Sequence, residues 1–368
     1  LGNLHLDLGD AGRARQCYKQ AREALGDRDL GLASVVDVNL AIAWSVEERH
    51  DNARELLRAT IRALGEDGDE RTRMVALTQL GYVESQLGDH AAALEAFAAA
   101  AQLKTPDPVP RAYAGLYAAD ALARLGRAKA AAKGYRAART TGEALYDRQL
   151  QAAAWRGLAR LALADGRLEK ALAAARASLG LVDEITAGLA PVSDALGRDL
   201  RRDVYETALQ VGFASGRASV ALEMLERSRA AVVLERLGGQ VAAPSLELPA
   251  ELATAETEAR DRLRVAQIAY DDACREGDRK ELKEAGPRLE EARLAYEEVL
   301  DRIQRRPGAA GRPTRAFEGG SAGVRHALRS DEALVLYGTA DGRIHAVLLT
   351  PEAERVVSLC PIQEVAAG

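Results

Sequence analysis

The chain has three cysteines and five histidines. These are the residue types best suited to nucleophilic or metal chemistry, and their spacing decides what each can do. A cysteine nucleophile needs an imidazole within hydrogen-bonding reach to take its proton. Only Cys360, with His345 or His326, has such a candidate in the same stretch of chain. His345 falls in the middle of a short apolar run, where a half-buried strand side chain accounts for it. Cys360 follows Leu359 as a small strand-end residue. Neither is assigned a catalytic role. Cys17 and Cys274 lie in helical stretches and read as packing. His5, His50 and His90 are too widely separated to form a zinc set with the cysteines, so no metal ligand is assigned. Gly319-Gly320-Ser321-Ala322-Gly323 lacks the lysine and the strand-to-helix setting of a phosphate loop and reads as linker. No cofactor is expected.

The elements that must carry any site are set by a recurring pattern. Gly9, Glu48, Gly88, Gly126, Gly166 and Gly216 mark turns, and Ala14, Ala53, Ala93, Ala131, Ala171 and Ala221 follow at one fixed distance. Small residues precede the turn at Gly2, Ala41, Gly81, Ala119 and Ala159. The site one helical turn after each alanine holds Tyr18, Leu57, Phe97, Tyr135, Ala175 and Leu225. Two antiparallel helices approach closely only where side chains are small, and a bulky group one turn on fills the groove beside the contact. Glycine at the turn supplies the left-handed residue that ends the first helix. This order resembles the tetratricopeptide repeat, with Trp155 at the expected start of the fifth copy. The interval is nearer about 40 residues than the usual ~34, which implies longer helices. The last interval is longer again and suggests an insertion near residues 180–200. Leu1 enters the first copy partway along a helix without an initiating methionine, so the chain reads as a fragment.

Composition agrees. In 368 residues, 48% are hydrophobic but only 4% aromatic, which describes an alanine-rich helical array needing only neighbour contacts. The net charge of -5 and the mixing of arginine with acids argue against a nucleic-acid partner. Nor is there an apolar run able to span a bilayer, or a signal peptide. Three widely spaced cysteines argue against a disulfide framework and for a reducing compartment, so the expected location is cytoplasmic.

The pattern breaks after Gly238-Gly239. Residues 1–239 read as a solenoid of about six repeats, 240–250 as a linker and 251–304 as a charged helical hairpin. In the hairpin Leu282, Ala285, Leu289, Ala292, Tyr296, Val299 and Ile303 step by three and four, as a heptad seam does. Leu252, Ala259, Leu263, Ala266 and Tyr270 form the facing seam, Gly277-Asp278 the turn, and Gly286-Pro287 a restart or kink. The charges read as a solvated face. Residues 305–323 read as a mobile Gly/Pro linker. Ala333–Tyr337 and Ile344–Leu349, flanking Asp341-Gly342, have the short apolar runs of adjacent antiparallel strands buried on both faces, and Val356-Val357 begins a third. Strands without covering helices do not make a stable domain, so residues 324–368 read as the start of a larger α/β unit.

Leu328, Asp331 to Tyr337 and Gly342 to Thr350 resemble the opening of a CHAT domain, the caspase-like protease domain found behind tetratricopeptide arrays. Glu226-Arg227-Ser228-Arg229-Ala230 is similar to a stretch common at the end of such arrays. The resemblance implies an all-α, right-handed superhelical solenoid, then an α-helical hairpin, then the first strands of a truncated α/β caspase-like domain. It further implies a cysteine peptidase whose His-Gly and Ser-Ala-Cys motifs follow later strands; neither motif occurs in these residues.

In arrays of this kind the first helices of successive repeats line the concave face and can hold a peptide or a partner helix. Asn39, just before Leu40-Ala41, matches an asparagine that related arrays use against peptide backbone, and Gln79 is its counterpart. Arg156, Arg160, Glu206 and Gln210 come from later first helices and give the far end of the groove mixed charge. Trp44, Trp155, Tyr135 and Phe97 are assigned to helix packing. The reading is a regulatory array that receives a protein signal and controls proteolysis of a protein substrate in a bacterial defence or cell-death pathway. The alternatives are a scaffold without catalysis, or a receptor whose enzyme lies before Leu1. The chain as given is expected to cleave no peptide. Incubation with a diverse peptide library checks this, and cleavage that disappears in Cys360→Ala would make Cys360 a nucleophile.

Overall fold

The computed structural model describes residues 1–7, 9–26, 28–66, 68–105, 107–188, 195–236, 249–304 and 320–366. Twelve helices form six consecutive hairpins: α1 (Gly2–Asp7) with α2 (Ala11–Leu25), α3 (Leu30–Val46) with α4 (His50–Leu64), and α5 (Glu70–Gln86) with α6 (His90–Gln102). The next three are α7 (Pro108–Arg124) with α8 (Ala128–Ala144), α9 (Arg148–Ala164) with α10 (Leu168–Gly188), and α11 (Ala195–Ala214) with α12 (Ala218–Arg236). Then come α13 (Ala250–Glu276), α14 (Arg279–Gln304), α15 (Gly320–Ala327), β1 (Leu334–Ala340), β2 (Arg343–Leu349), β3 (Glu354–Pro361) and α16 (Ile362–Ala366). The chain divides into two compact units. The first holds residues 1–157, 192–200 and 265–290, and the second the remainder.

The six turn residues all have positive φ, from 59° at Glu48 to 86° at Gly88. After five of them, the residue beyond the turn donates its N–H to a carbonyl five residues back, as Asp89 does to Glu84 at 2.9 Å and Arg127 to Leu122 at 2.8 Å. This closes the helix end with a Schellman pattern. Glu48 adopts the same conformation without glycine's freedom, at a cost of about 1 kcal/mol. The alanines at the intra-hairpin contact are buried throughout: Ala14, Ala53, Ala93, Ala131 and Ala171 are fully so and Ala221 nearly so. A methyl group at Gly2 would meet the Tyr18 ring at 2.5 Å, and one at Gly81 the Phe97 ring at 2.6 Å. The Tyr135 ring instead closes on Gly157 of the following hairpin.

A second regularity accompanies the rings. Tyr18 donates its hydroxyl to Asn3 Oδ1 at 2.7 Å and Tyr135 to Asp120 Oδ1 at 2.6 Å. Asn3 and Asp120 each directly follow the small residue of their repeat, Gly2 and Ala119. Where the ring position has no hydroxyl, at Leu57 and Phe97, that neighbour is Ile42 or Tyr82. A buried phenol needs a partner, and the repeat supplies one only where it is needed.

The seam of α13 and α14 is as its spacing indicates, with Ala259, Tyr270, Ala285, Leu289 and Tyr296 buried and Gly277 turning at a φ of 68°. The expected restart at Gly286-Pro287 does not occur, because α14 runs through Pro287. Loss of one N–H is outweighed there by the buried seam on either side, with Leu289 fully enclosed. Residues 320–323, read as linker, open helix α15, with Ser321 and Val324 buried. Gly319, residues 305–318, most of the 240–250 linker, and residues 189–194 within the expected insertion lie outside the described residues.

The strands form an antiparallel sheet of order β1-β2-β3, with Leu334 opposite Leu349 and Tyr337 opposite Ala346. They are not buried on both faces. Along β1 burial alternates, leaving Val335 40% and Tyr337 56% exposed. Among the described residues the sheet is covered on one side, by the last hairpin together with α15. Phe213, Ala221, Leu222 and Leu225 share one core with Val324, Ala340, Val347 and Leu349. Gly338 makes that approach possible, since a Cβ there would stand 2.5 Å from Leu225. The expectation of strands without covering helices is thereby corrected.

Because Ala93 and Ala131 have no spare room, Ala93→Leu and Ala131→Leu are each expected to destabilise the fold by roughly 1–3 kcal/mol. Thermal melts decide it, and melting temperatures at or above the parent's would refute the register.

Candidate protein-binding groove

In the first unit, α3 packs on α5 and α5 on α7, whereas the second helices make no comparable contacts among themselves. First helices that lie closer together than second helices place α3, α5 and α7 on the inner side of this stack. Each is held at its start by an aspartate: Asp29 accepts from Leu32 N at 2.9 Å, Asp69 from Thr72 N at 2.7 Å, and Asp107 from Val109 N at 3.0 Å.

Asn39 on α3 and Gln79 on α5 occupy the same position of adjacent repeats, two residues before Ala41 and Gly81. Both are half-buried, and neither side-chain amide has a hydrogen-bond partner among the described residues. The equivalent position on α7 is Tyr117. Its ring lies 6.1 Å from Tyr82, 6.2 Å from Tyr113 and 5.8 Å from Phe97. Burial, reinforced by Tyr82 and Asp120, raises its phenol well above the ordinary range, so it remains neutral. Tyr113 donates to Asp147 Oδ1 at 3.3 Å.

Charges around these helices are joined in pairs: Arg22 with Asp37 at 3.2 Å, Arg58 with Glu84 at 2.6 Å, and Arg71 with Asp107 at 3.4 Å. The Asp37 carboxyl is raised above its usual value by burial, against the opposing pull of Arg22. Arg156 is buried and reaches Asp120 at 3.2 Å, the same carboxylate that accepts from Tyr135. It therefore braces α9 against α7. Trp155 packs beneath the Arg139 guanidinium at 4.8 Å.

One feature of this unit was not legible in local patterns. The tip of the α13–α14 hairpin sits on the turn between α8 and α9. Tyr270 donates to the Leu145 carbonyl, Arg148 pairs with Glu290 at 2.6 Å, and the Tyr146 ring, at a φ of 51°, closes on Gly286. Part of the hairpin read as solvated charge is thus a docking surface. The sequence signal was the glycine before Pro287, whose missing side chain admits Tyr146.

Arg160, Glu206 and Gln210 belong to the second unit. Arg160 is half-buried and Glu206 exposed, and Gln210 lies 3.5 Å from Glu206. Gln210 also lines a recess of about 260 Å³ with Phe213, Asp341, His345, Val356 and Ser358. His345 stacks on Phe213 at 4.5 Å, and its Nε2 lies 3.3 Å from the Ala340 carbonyl. Among the described residues no hydrogen bond joins Cys360 to His345 or His326. The stretch Glu226–Arg229 links elements of this unit: Arg227 pairs with Asp183, and Arg229 donates to the Tyr337 carbonyl at 2.9 Å. Among the described residues no helix is long and apolar enough to cross a membrane.

No protein-family model and no curated protein matches the chain. Solved structures do. BtubC from P. vanneervenii is 16% identical over 63% of this chain and 92% of its own, with a TM-score of 0.47. A signal-transduction ATPase with a tetratricopeptide sensor from Pyrococcus horikoshii is 16% identical over 82% of this chain, with a TM-score of 0.49; the match spans 43% of that protein. The Rap conjugation regulator of plasmid pLS20, in complex with the Phr* peptide, is 17% identical over 80% of each chain, with a TM-score of 0.39. At these identities and TM-scores the matches do not bear on ligand or activity.

Asp69 fixes the start of the helix that presents Gln79. Its carboxyl is held below its usual value, first by the Thr72 hydroxyl and then by the Thr72 N–H. A depressed folded-state pKa gives stability that is complete above the unfolded value of about 3.9 and is lost as pH falls through the lower folded value. Asp69→Ala is expected to cost about 1 kcal/mol near neutrality. The gap from the parent should narrow in acid, and denaturant titrations across that range check it.

Proposed function

We propose that the chain is a protein-binding regulatory array whose groove, lined by α3, α5 and α7, captures a protein or peptide segment. The observation that carries this is the pair of half-buried, unpartnered amides of Asn39 and Gln79 on adjacent inner helices. Both amides remain open to solvent, so a bound segment can donate to and accept from them. Arg160, Glu206 and Gln210 extend the same role to later repeats, with Arg156 as a brace.

The resemblance of the strands and of Glu226–Ala230 to a CHAT protein supports a finer reading. The array then governs a caspase-like cysteine peptidase acting on a protein substrate, in the cytoplasm, in a bacterial defence or cell-death response. Sharing of one core by the last hairpin and β1–β3 would let a change in the repeats reach the sheet. That same core also favours a second reading, a scaffold without catalysis, because a sheet laid on a terminal repeat shields its open apolar face.

Replacing Asn39 and Gln79 together by alanine should weaken binding of peptides selected on the parent from a displayed library. The melt should hardly move, since exposed polar truncations cost under about 0.5 kcal/mol. Selected peptides that bind the double variant undiminished would place the contact surface elsewhere.

A further inference from the structure

The recess between the last repeat and the sheet lies wholly within the second unit, whereas α3, α5 and α7 belong to the first. Its volume of about 260 Å³ suits a ligand of fragment size. One wall is α11; the other is made by β2, β3 and the turn between β1 and β2. Phe213 is buried, and together with Val356 and the His345 ring stacked on it at 4.5 Å it makes the lining largely apolar. The polar groups around this wall are mostly acceptors. Asp341 stands exposed on the rim, and among the described residues nothing bonds to its carboxylate. Cations nearby in sequence are directed elsewhere: Arg343 donates to Ser358 Oγ at 3.0 Å and to the Leu359 carbonyl at 3.2 Å, and Arg217 pairs with Glu169 at 3.0 Å. Gln210 turns its amide nitrogen to Glu206 at 3.5 Å, which leaves its oxygen to accept. A backbone carbonyl only accepts. The contact of 3.3 Å between His345 Nε2 and the Ala340 carbonyl therefore puts the proton of the neutral ring on Nε2 and leaves Nδ1 an acceptor. Among the described residues no lysine or arginine lines the recess.

We propose that this recess binds a small organic cation, a primary amine carried on a short apolar body. A protonated amine brings N–H donors and no acceptor, which complements a lining that offers a carboxylate, an amide oxygen and an imidazole nitrogen without a competing cation. The apolar body rests on Phe213 and Val356. An anionic ligand finds no cation in the lining and meets the Asp341 charge instead. A recess of this volume is underfilled by one lysine stem, so the cation belongs to a whole small molecule rather than to a protein side chain. Such an occupant touches α11 and the sheet at once, and by binding only the joined form it stabilises the core they share.

The test is calorimetric titration of the full chain, at constant ionic strength, with benzylamine, with benzyl alcohol as its uncharged counterpart, and with lysine blocked at both ends. Benzylamine should bind saturably and raise the melting temperature, while the alcohol and the blocked lysine bind about tenfold more weakly. Asp341→Asn should lower benzylamine affinity about tenfold with an unchanged melt, because asparagine tolerates the left-handed conformation found there, at a φ of 50°. Gln210→Leu, on the helix side, should weaken benzylamine too, and it decides the matter if Asp341→Asn melts early. Asp331→Asn, a carboxylate neutralised outside the recess, and the Asn39/Gln79 double variant should leave benzylamine binding as it was. Benzylamine that fails to saturate, or an alcohol or blocked lysine that binds as well, overturns the proposal. So does a loss in Asp331→Asn equal to that in Asp341→Asn. Loss of benzylamine binding in the Asn39/Gln79 double variant would assign it to the groove of α3, α5 and α7 and equally overturn the recess.

Discussion

The contact between the two helices of each hairpin governs the rest of the molecule. It is made by alanine or glycine, so the backbones come close, and no adjustment of a neighbour can admit a larger group there. Six buried alanines, from Ala14 to Ala221, repeat this constraint. Close approach forces the turn to be short, and a short turn forces a left-handed residue, even at Glu48 where glycine is missing. The volume excluded at the contact is returned one turn later by Tyr18, Leu57, Phe97 or Tyr135. The rings at these positions, Tyr18, Phe97 and Tyr135, are buried.

That economy leaves the polar side chains to be arranged by need. A tyrosine at the ring position brings Asn3 or Asp120 to meet its hydroxyl, and Asp120 in turn draws in Arg156. Arginines and acids on neighbouring elements neutralise one another through Arg22–Asp37, Arg58–Glu84 and Arg71–Asp107. The side-chain amides of Asn39 and Gln79, half-buried and without a hydrogen-bond partner among the described residues, are the feature on which the proposed recognition rests.

The two additions to the repeats are integrated differently. The hairpin tip is anchored on the α8–α9 turn by a phenol, an ion pair and a ring over glycine, a small and polar set of contacts. The sheet shares a continuous apolar core with α11 and α12, where Gly338 lets the strand close on Leu225. A movement of the last hairpin would therefore be felt by the strands, whereas the opposite face of the sheet, with Val335, Tyr337, Val357 and Leu359, stays open.

Much of this was legible beforehand. Turn glycines, contact alanines and the positions one turn later are local and periodic, so sequence alone determined the hairpins, their register, the α13–α14 seam and the pairing of β1 with β2. Asn39 and Gln79 were proposed the same way, from their place in the repeat. What sequence could not determine was anything set by partners far along the chain. Whether the strands are covered on one face or two depends on a helix over 100 residues earlier, and Arg229 meets Tyr337 at a separation of 108. The continuity of α14 through Pro287 depends on packing rather than propensity. The docking of Tyr270 on Leu145 spans 125 residues. Periodicity reports which face of an element is apolar; only tertiary structure decides which element covers it, because that choice is made by shape and volume across the whole fold.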